Sequence, residues 1–275
     1  MRALEVDEIN LKGDTMALMD AIVLALAVGA VVLMCTYRLR RLRIAEFAQR
    51  VTQGSRSQRD ATFALGSAIF AKVKRGRDPV FLTPLLASLG GSPTTILSKG
   101  GCCSGVHRLF ITALDTLGIR AAQVTVYRRA DDAAHCLAQV TVESANILID
   151  VDYGVWLHHP DGGPIDLAGL RSGLTPAIVP FVLDGKAPYA DSARTRSAGY
   201  PGGDYYRFDY RLTRTANWTE TRLRGVLYAV LRPLTRGRVD CLMLPPILEW
   251  PEVLLAAGLC FATFFLLAAR ALTQT

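Results

Sequence analysis

The first sixteen residues are polar, with Glu5, Asp7, Glu8 and Asp14 set against Arg2 and Lys12, and the stretch that follows, Ala17 to Tyr37, is apolar except for Asp20 near its start. A helix of that length crosses the roughly 30 Å hydrocarbon layer of a bilayer. The run has no basic leader, and Arg38, Arg40, Arg41 and Arg43 follow it where a small-residue cleavage site would stand. It therefore reads as a transmembrane helix and not as a secretory signal. Arg38 to Val51 continues as a basic amphipathic helix, Gly54-Ser55-Arg56-Ser57 breaks it, and Ala61 to Val73 reads as a second helix ahead of a solvated turn at 74–79. Val80 to Leu89 is short and apolar, and Gly90-Gly91-Ser92-Pro93 marks a loop. Beyond Gly100, the residues Leu109, Phe110, Ala113, Leu114 and Leu117 recur at helical spacing, and Gly118 is placed to close that helix. Two strand-like stretches follow, Ala134 to Val142 and Asn146 to Gly154.

Further along, His158 to Pro164 is rich in turn residues, and Pro176 to Asp204, rich in Pro, Gly and Ala, reads as a loop or surface flap. Between Arg207 and Arg238 there are eight arginines, with Leu223, Leu227, Val230, Leu231 and Leu234 at helical spacing. Such a segment is either a helix lying on a membrane surface or a docked core helix with ordinary surface charge. Pro245, Pro246 and Pro251 then lead into Val253 to Ala269, a second apolar run of 17 residues, at the lower limit for a span. The expected organisation is a tail (1–16), a transmembrane helix (17–37), a helical connecting region (38–94), a globular domain (95–206), a basic membrane-proximal region (207–250) and a second transmembrane helix (251–270).

Charge adds an orientation. The 275-residue chain carries a formal net charge of +7, and its arginines follow the first apolar run (38, 40, 41, 43) and precede the second (232, 236, 238). The positive-inside rule then places the central domain in the cytoplasm, with both termini outside. A basic balance also suits nucleic acid, but no helix-turn-helix, zinc-finger or RNA-binding signature accompanies it, so anionic lipid is the expected partner and nucleic acid is not. Six cysteines in a chain of this length do not make a disulfide scaffold, and their spacing matches no zinc site. A reducing compartment fits. His158 and His159 are adjacent and diverge on any regular element, so they read as a solvent loop. With no phosphate loop or dinucleotide fingerprint either, neither cofactor nor metal is expected. Asn217-Trp218-Thr219 is a glycosylation triplet that matters only for a secreted domain.

The chemistry gathers around Gly100-Gly101-Cys102-Cys103. A thiol in the first turn of a helix meets unpaired N–H groups and the positive end of the helix dipole, which favour thiolate and predict a nucleophile near neutral pH. Cys103 is that thiol. Cys102, one residue earlier, reads as a cap-region residue, and His107, four residues on, as a half-exposed surface histidine. His135 on the first strand is a candidate base. Its neighbour Cys136 is expected on the opposite side of the strand, in the core. Asp150 and Asp152 are two apart, so on a strand they share a face, and either could orient His135.

This order and spacing resemble the transglutaminase-like superfamily of papain-type thiol enzymes, over about residues 95 to 160. The residues that carry the resemblance are Gly101, Cys103, Gly118-Ile119, His135, Asp150 and Gly154. It implies an α+β fold in which the Cys-bearing helix packs on a small antiparallel sheet, here flanked by two transmembrane helices. It also implies a triad: Cys103 as nucleophile, His135 as base, and Asp150, about fifteen residues further, as the orienting carboxylate. The substrate would be a peptide or protein amide, cleaved or transferred. The chain differs from the family in lacking an aromatic residue soon after His135 and in reading Asp150-Val151-Asp152 where Asp-Pro-Thr is usual. The alternative is accordingly an inactive scaffold of the same fold in a membrane assembly.

Overall fold

Two tight hairpins start the sheet, and the computed structural model, which describes residues 2–79, 89–181, 207–215 and 222–274, lets their register be read directly. Strand β1 (Ala121–Arg129) pairs with β2 (Asp132–Val142), and β2 with β3 (Ala145–Asp150), all antiparallel. Glu143 and Ser144 join β2 to β3 with φ of 50° and 70°. Positive φ at both turn positions is the primed hairpin geometry whose twist matches that of the strands. Three further strands, β4 (Val155–His158), β5 (Ala177–Pro180) and β6 (Asp209–Arg214), complete a six-stranded sheet in the order β5-β4-β3-β2-β1-β6.

The β5 strand corrects part of the expected flap. Residues 177–180 pair with β4 at the sheet's edge, Pro180 opposite Val155, and an edge tolerates a proline that a central strand would not. The remainder of that segment from 182, like 80–88 and the triplet at Asn217, lies outside the described residues. One face of the sheet buries Val124, Val126, Leu137, Leu148, Val155 and Leu157 against Leu167 and Leu170 of the short helix α5 (Leu167–Arg171). Each such side chain contributes about 1.5–3 kcal/mol by leaving water.

Five more α-helices are described before the last. α1 (Arg2–Thr52) runs unbroken from the tail through the first apolar stretch, and α2 (Gln58–Lys72) starts at Ser57, whose hydroxyl accepts from the Asp60 N–H. α3 (Pro93–Lys99) leads through Gly100 into α4 (Cys103–Thr116), which packs on β1, β2, α2 and α3. Leu109, Phe110, Ala113 and Leu114 of α4 are completely buried. Gly118, at φ +74°, lets the chain turn so that the Ile119 N–H bonds back to the Leu114 carbonyl and ends the helix. α6 (Arg222–Leu234) precedes α7 (Pro251–Gln274).

By contact pattern the chain falls into two units, Arg41–Glu249 and a second made of Met1–Arg40 with Trp250–Thr275. In the second unit, α1 and α7 run antiparallel: Asp20 pairs with Arg270, Gly29 faces Leu259, the Tyr37 and Trp250 rings meet edge to face at 5.3 Å, and Arg40 pairs with Glu252. Both helices are long and apolar enough to cross a membrane. Their outer faces expose Leu24, Val31, Phe261 and Phe264, each by more than half.

Candidate functional site

A glycine turn sets the start of α4. Gly100 has φ 94° and ψ −179°, a conformation open only to glycine, and a Cβ there would lie 2.3 Å from the Lys74 carbonyl oxygen. The close approach is a short parallel bridge in which Gly101 N–H donates to Lys74 O and Gly76 N–H to Gly101 O, each at 3.1 Å. Gly100→Ala is therefore expected to destabilise the protein by about 1–3 kcal/mol, read as a lower urea or thermal midpoint.

The same strand-like segment delivers Asp78 to the helix N-terminus. Its Oδ1 accepts from the Cys102 N–H at 2.8 Å and its Oδ2 from the Ser104 hydroxyl at 3.2 Å. Cys102 is the N-cap residue but makes no side-chain cap bond, so Asp78, 24 residues upstream of it, does that work. Sequence alone did not reveal this role. An isolated aspartate in a solvated turn carries no local signal of what it will cap.

His135 lies beside a bulge. Val126 pairs with His135 but Tyr127 pairs with Ala133, which leaves Ala134 as an extra residue on β2. Bulges bend a strand and re-aim the side chains next to them. Both His135 and Cys136 interact with the Cys103 thiol. Cys136 is buried in the core as expected, and it accepts from the Gln123 amide at 3.0 Å.

The carboxylates separate as well. β3 ends at Asp150, and Asp152 lies in the following turn, so the two do not share a strand face. Asp150 is fully buried; its Oδ2 lies 2.6 Å from His135 Nε2 and its Oδ1 accepts from the N–H groups of Asp152 (2.9 Å) and Tyr153 (3.0 Å). Asp152 instead takes a bidentate pair from Arg75, at 2.9 and 2.5 Å, while the guanidinium lies 4.6 Å over the Tyr153 ring. Tyr153 meets His135 edge-on at 5.1 Å, and Phe208 lies parallel to the imidazole at 6.1 Å. An aromatic wall is thus supplied from the segment leading into β6.

His107 departs most from its expected place. It is completely buried, with Nδ1 2.8 Å from the Cys103 carbonyl oxygen and Nε2 accepting from the Val151 N–H at 3.2 Å. Position four on from Cys103 puts it on the inward side of α4, because the start of β3's exit turn closes over that side.

Electrostatics follow from these contacts. Burial alone would lower the His135 pKa, but Asp150 outweighs it, with Cys103 adding to the effect, and holds the imidazole well above its ordinary value. For Cys103, a hydrogen bond from Cys102 favours the thiolate, Cys136 and burial oppose it, and His135 pulls back; the balance leaves the thiol above its ordinary value. The expectation of a thiolate near neutral pH from the helix dipole is corrected here. Asp78 occupies the helix start and the thiol is largely enclosed. Cys102, bonded to Cys103 and partly buried, is pushed up strongly and remains a donor. Among the described residues, no cluster of His, Cys, Asp or Glu has the arrangement of a metal site.

Residues 45–159 match the family model of the transglutaminase-like superfamily. Two solved structures are similar: a candidate protease from Parabacteroides distasonis ATCC 8503 (19% identity, TM-score 0.32, 44% of this chain and 26% of that one) and a candidate cysteine protease from Cytophaga hutchinsonii (16% identity, TM-score 0.35, 55% and 45%). The chain thus spans less than half the length of either. No curated relative matches it.

Proposed function

We propose, on the match of residues 45–159 to the transglutaminase-like superfamily model, that the protein is a membrane-anchored cysteine enzyme acting on an amide or peptide carbonyl, by hydrolysis or acyl transfer, through Cys103, His135 and Asp150. The observation that carries this reading is the buried 2.6 Å contact between His135 Nε2 and Asp150, with the Cys103 thiol against the same imidazole. Asp150 engages Nε2, which leaves Nδ1 as the nitrogen that exchanges a proton with the thiol. A stronger base offsets a weaker acid. The thiol proton passes to His135, the sulfur adds to the carbonyl carbon, and the Cys103 N–H, which has no acceptor among the described residues, is placed to receive the developing oxyanion. His135 then returns the proton to the leaving amine. Water or a second amine attacks the thioester and releases Cys103.

The test is to incubate the full chain in detergent micelles with a peptide mixture and follow new ends or exchanged amines by mass spectrometry. Turnover that vanishes in Cys103→Ala and survives in Cys102→Ala supports the reading; turnover undiminished in Cys103→Ala overturns it. A scaffold of the same fold is the second reading, favoured by the raised Cys103 thiol and the Asp78 carboxylate at the helix start.

The anchorage belongs to the same proposal. α1 and α7 span the bilayer as an antiparallel pair, and the arginines at 38–43 and 232–238 keep the catalytic unit on the cytoplasmic side. A cysteine introduced at Ser57 should resist an impermeant thiol reagent in intact cells, and its labelling there would reverse the topology. α6 lies on the anionic surface: Val226, Leu227, Val230 and Leu234 are exposed by 45–73%, where a docked core helix would hide them. Replacing Arg232 and Arg236 by glutamine should weaken binding of the 207–238 peptide to anionic vesicles, by up to about 1 kcal/mol per charge. Unchanged affinity would count against it.

A further inference from the structure

The catalytic reading uses His135 and leaves a second buried histidine without a task. His107 is completely enclosed, and its two ring nitrogens reach two different backbones: Nδ1 to the carbonyl of Cys103 (2.8 Å), on α4, and Nε2 to the N–H of Val151 (3.2 Å), the residue after Asp150. A carbonyl only accepts and a backbone N–H only donates, so both bonds exist together in one protonation state alone, the neutral imidazole with its proton on Nδ1. The charged groups facing the ring are few. Asp150 Oδ1 lies 3.6 Å from Nε2, the His135 ring is 6.0 Å away, and Asp152 acts from further off. Burial lowers the His107 pKa further than Asp150 raises it, which agrees with a neutral ring.

Resting on the triad proposed above, we infer that His107 is a positioning residue, a neutral strut that ties the turn carrying the nucleophile to the turn carrying the orienting carboxylate. Cys103 belongs to α4 and Asp150 to the end of β3, elements that His135 and the Arg75–Asp152 pair also link, and His107 adds a direct tie between their two backbones. A sub-ångström drift between them would separate Cys103 from a base whose other nitrogen is held by Asp150, and proton transfer is steep in that distance. The strut also excludes a wrong arrangement. With its proton on Nδ1, His107 offers no N–H to Asp150 Oδ1, so the carboxylate stays with His135 and with the N–H groups of Asp152 and Tyr153.

The experiment reads the coupling between Cys103 and His135 in the full chain in detergent micelles. Iodoacetamide labelling of Cys103, followed by peptide mapping, is compared with and without His135→Ala in three backgrounds: native, His107→Gln and His107→Leu. In the native background, His135→Ala slows labelling about tenfold, the effect of one unit in thiol pKa. Glutamine carries one donor and one acceptor on its amide and should retain most of that response. Leucine carries neither, and in that background the response should fall to about twofold or less. A folded His107→Leu protein with the full response would overturn the strut, because a side chain that only fills space leaves the coupling intact.

If His107→Leu does not fold, ring-¹⁵N histidine NMR decides alone. The four histidines give a spectrum in which His107 is assigned by its loss in His107→Gln. The expected signal is a neutral imidazole protonated on Nδ1 from about pH 5 to about pH 8, the range where an ordinary histidine titrates. A proton on Nε2, or an imidazolium within that range, overturns the proposal. If His135→Ala has no effect even in the native background, the triad fails, and the tautomer still judges the strut by itself.

Discussion

His135→Ala should slow alkylation of Cys103 by iodoacetamide about tenfold at a pH near 8, with the labelling profile displaced to higher pH. His135 is one of two influences that favour the Cys103 thiolate, the other being the Cys102 hydrogen bond, and they act against Cys136 and burial. Removing His135 leaves the opposing effects in place, and below its pKa a thiol loses a factor of ten in thiolate for each unit gained. Asp150→Asn should move the profile the same way but less, since the imidazole remains while its charge partner is lost. Asp152→Asn should move it least, because Asp152 is engaged with Arg75 and not with the base. Cys136→Ala should move it in the opposite direction. If Cys103 were indifferent to His135, the enzyme reading would give way to the scaffold.

Asp150→Ala is expected to cost about 3–5 kcal/mol in stability, among the larger values for a point substitution. The carboxylate is fully buried and serves three donors: His135 and the N–H groups of Asp152 and Tyr153. Alanine leaves all of them without an acceptor in a place water does not reach. Asp150→Asn keeps an oxygen for the backbone donors and should cost less. The loss has a pH signature. Because the folded His135 pKa is raised, the stabilisation it draws from Asp150 is complete below the ordinary histidine value of about 6.5 and declines as pH rises through the raised value. The difference in urea midpoint between the native protein and Asp150→Asn should therefore shrink towards alkaline pH. A difference that grows with pH, or an Asp150→Ala cost under about 1 kcal/mol, would mean that Asp150 does not hold a charged His135.

What could be read from the sequence is what short-range periodicity encodes. The apolar spacing of Leu109, Phe110, Ala113 and Leu114, with a glycine at 118, specifies a helix, because residues three and four apart share a face and glycine alone ends it comfortably at φ +74°. The strand around His135 and the two long apolar helices are legible for the same reason. Glu143-Ser144 is a different case. Its primed turn has no Asn-Gly signal, and the register of β2 with β3 follows from pairing, not from the two residues between.

The site's wiring, by contrast, rests on contacts between distant residues. Arg75, 77 positions before Asp152, engages that carboxylate and so separates its role from that of Asp150. Asp78 caps the Cys103 helix from 24 positions before Cys102. Phe208 lines the imidazole from the far side of the chain. His135 and Cys136, neighbours on β2, both interact with the thiol of Cys103, which lies on a separate helix. His107 looks like a surface residue on its own helix and is enclosed only because the turn after β3 packs over it. The sequence by itself determined which elements exist and which residue types they carry, since backbone periodicity is a local property. Only the tertiary structure decided which carboxylate meets which cation, and which thiols and imidazoles interact, because those depend on burial and on partners far apart in the chain.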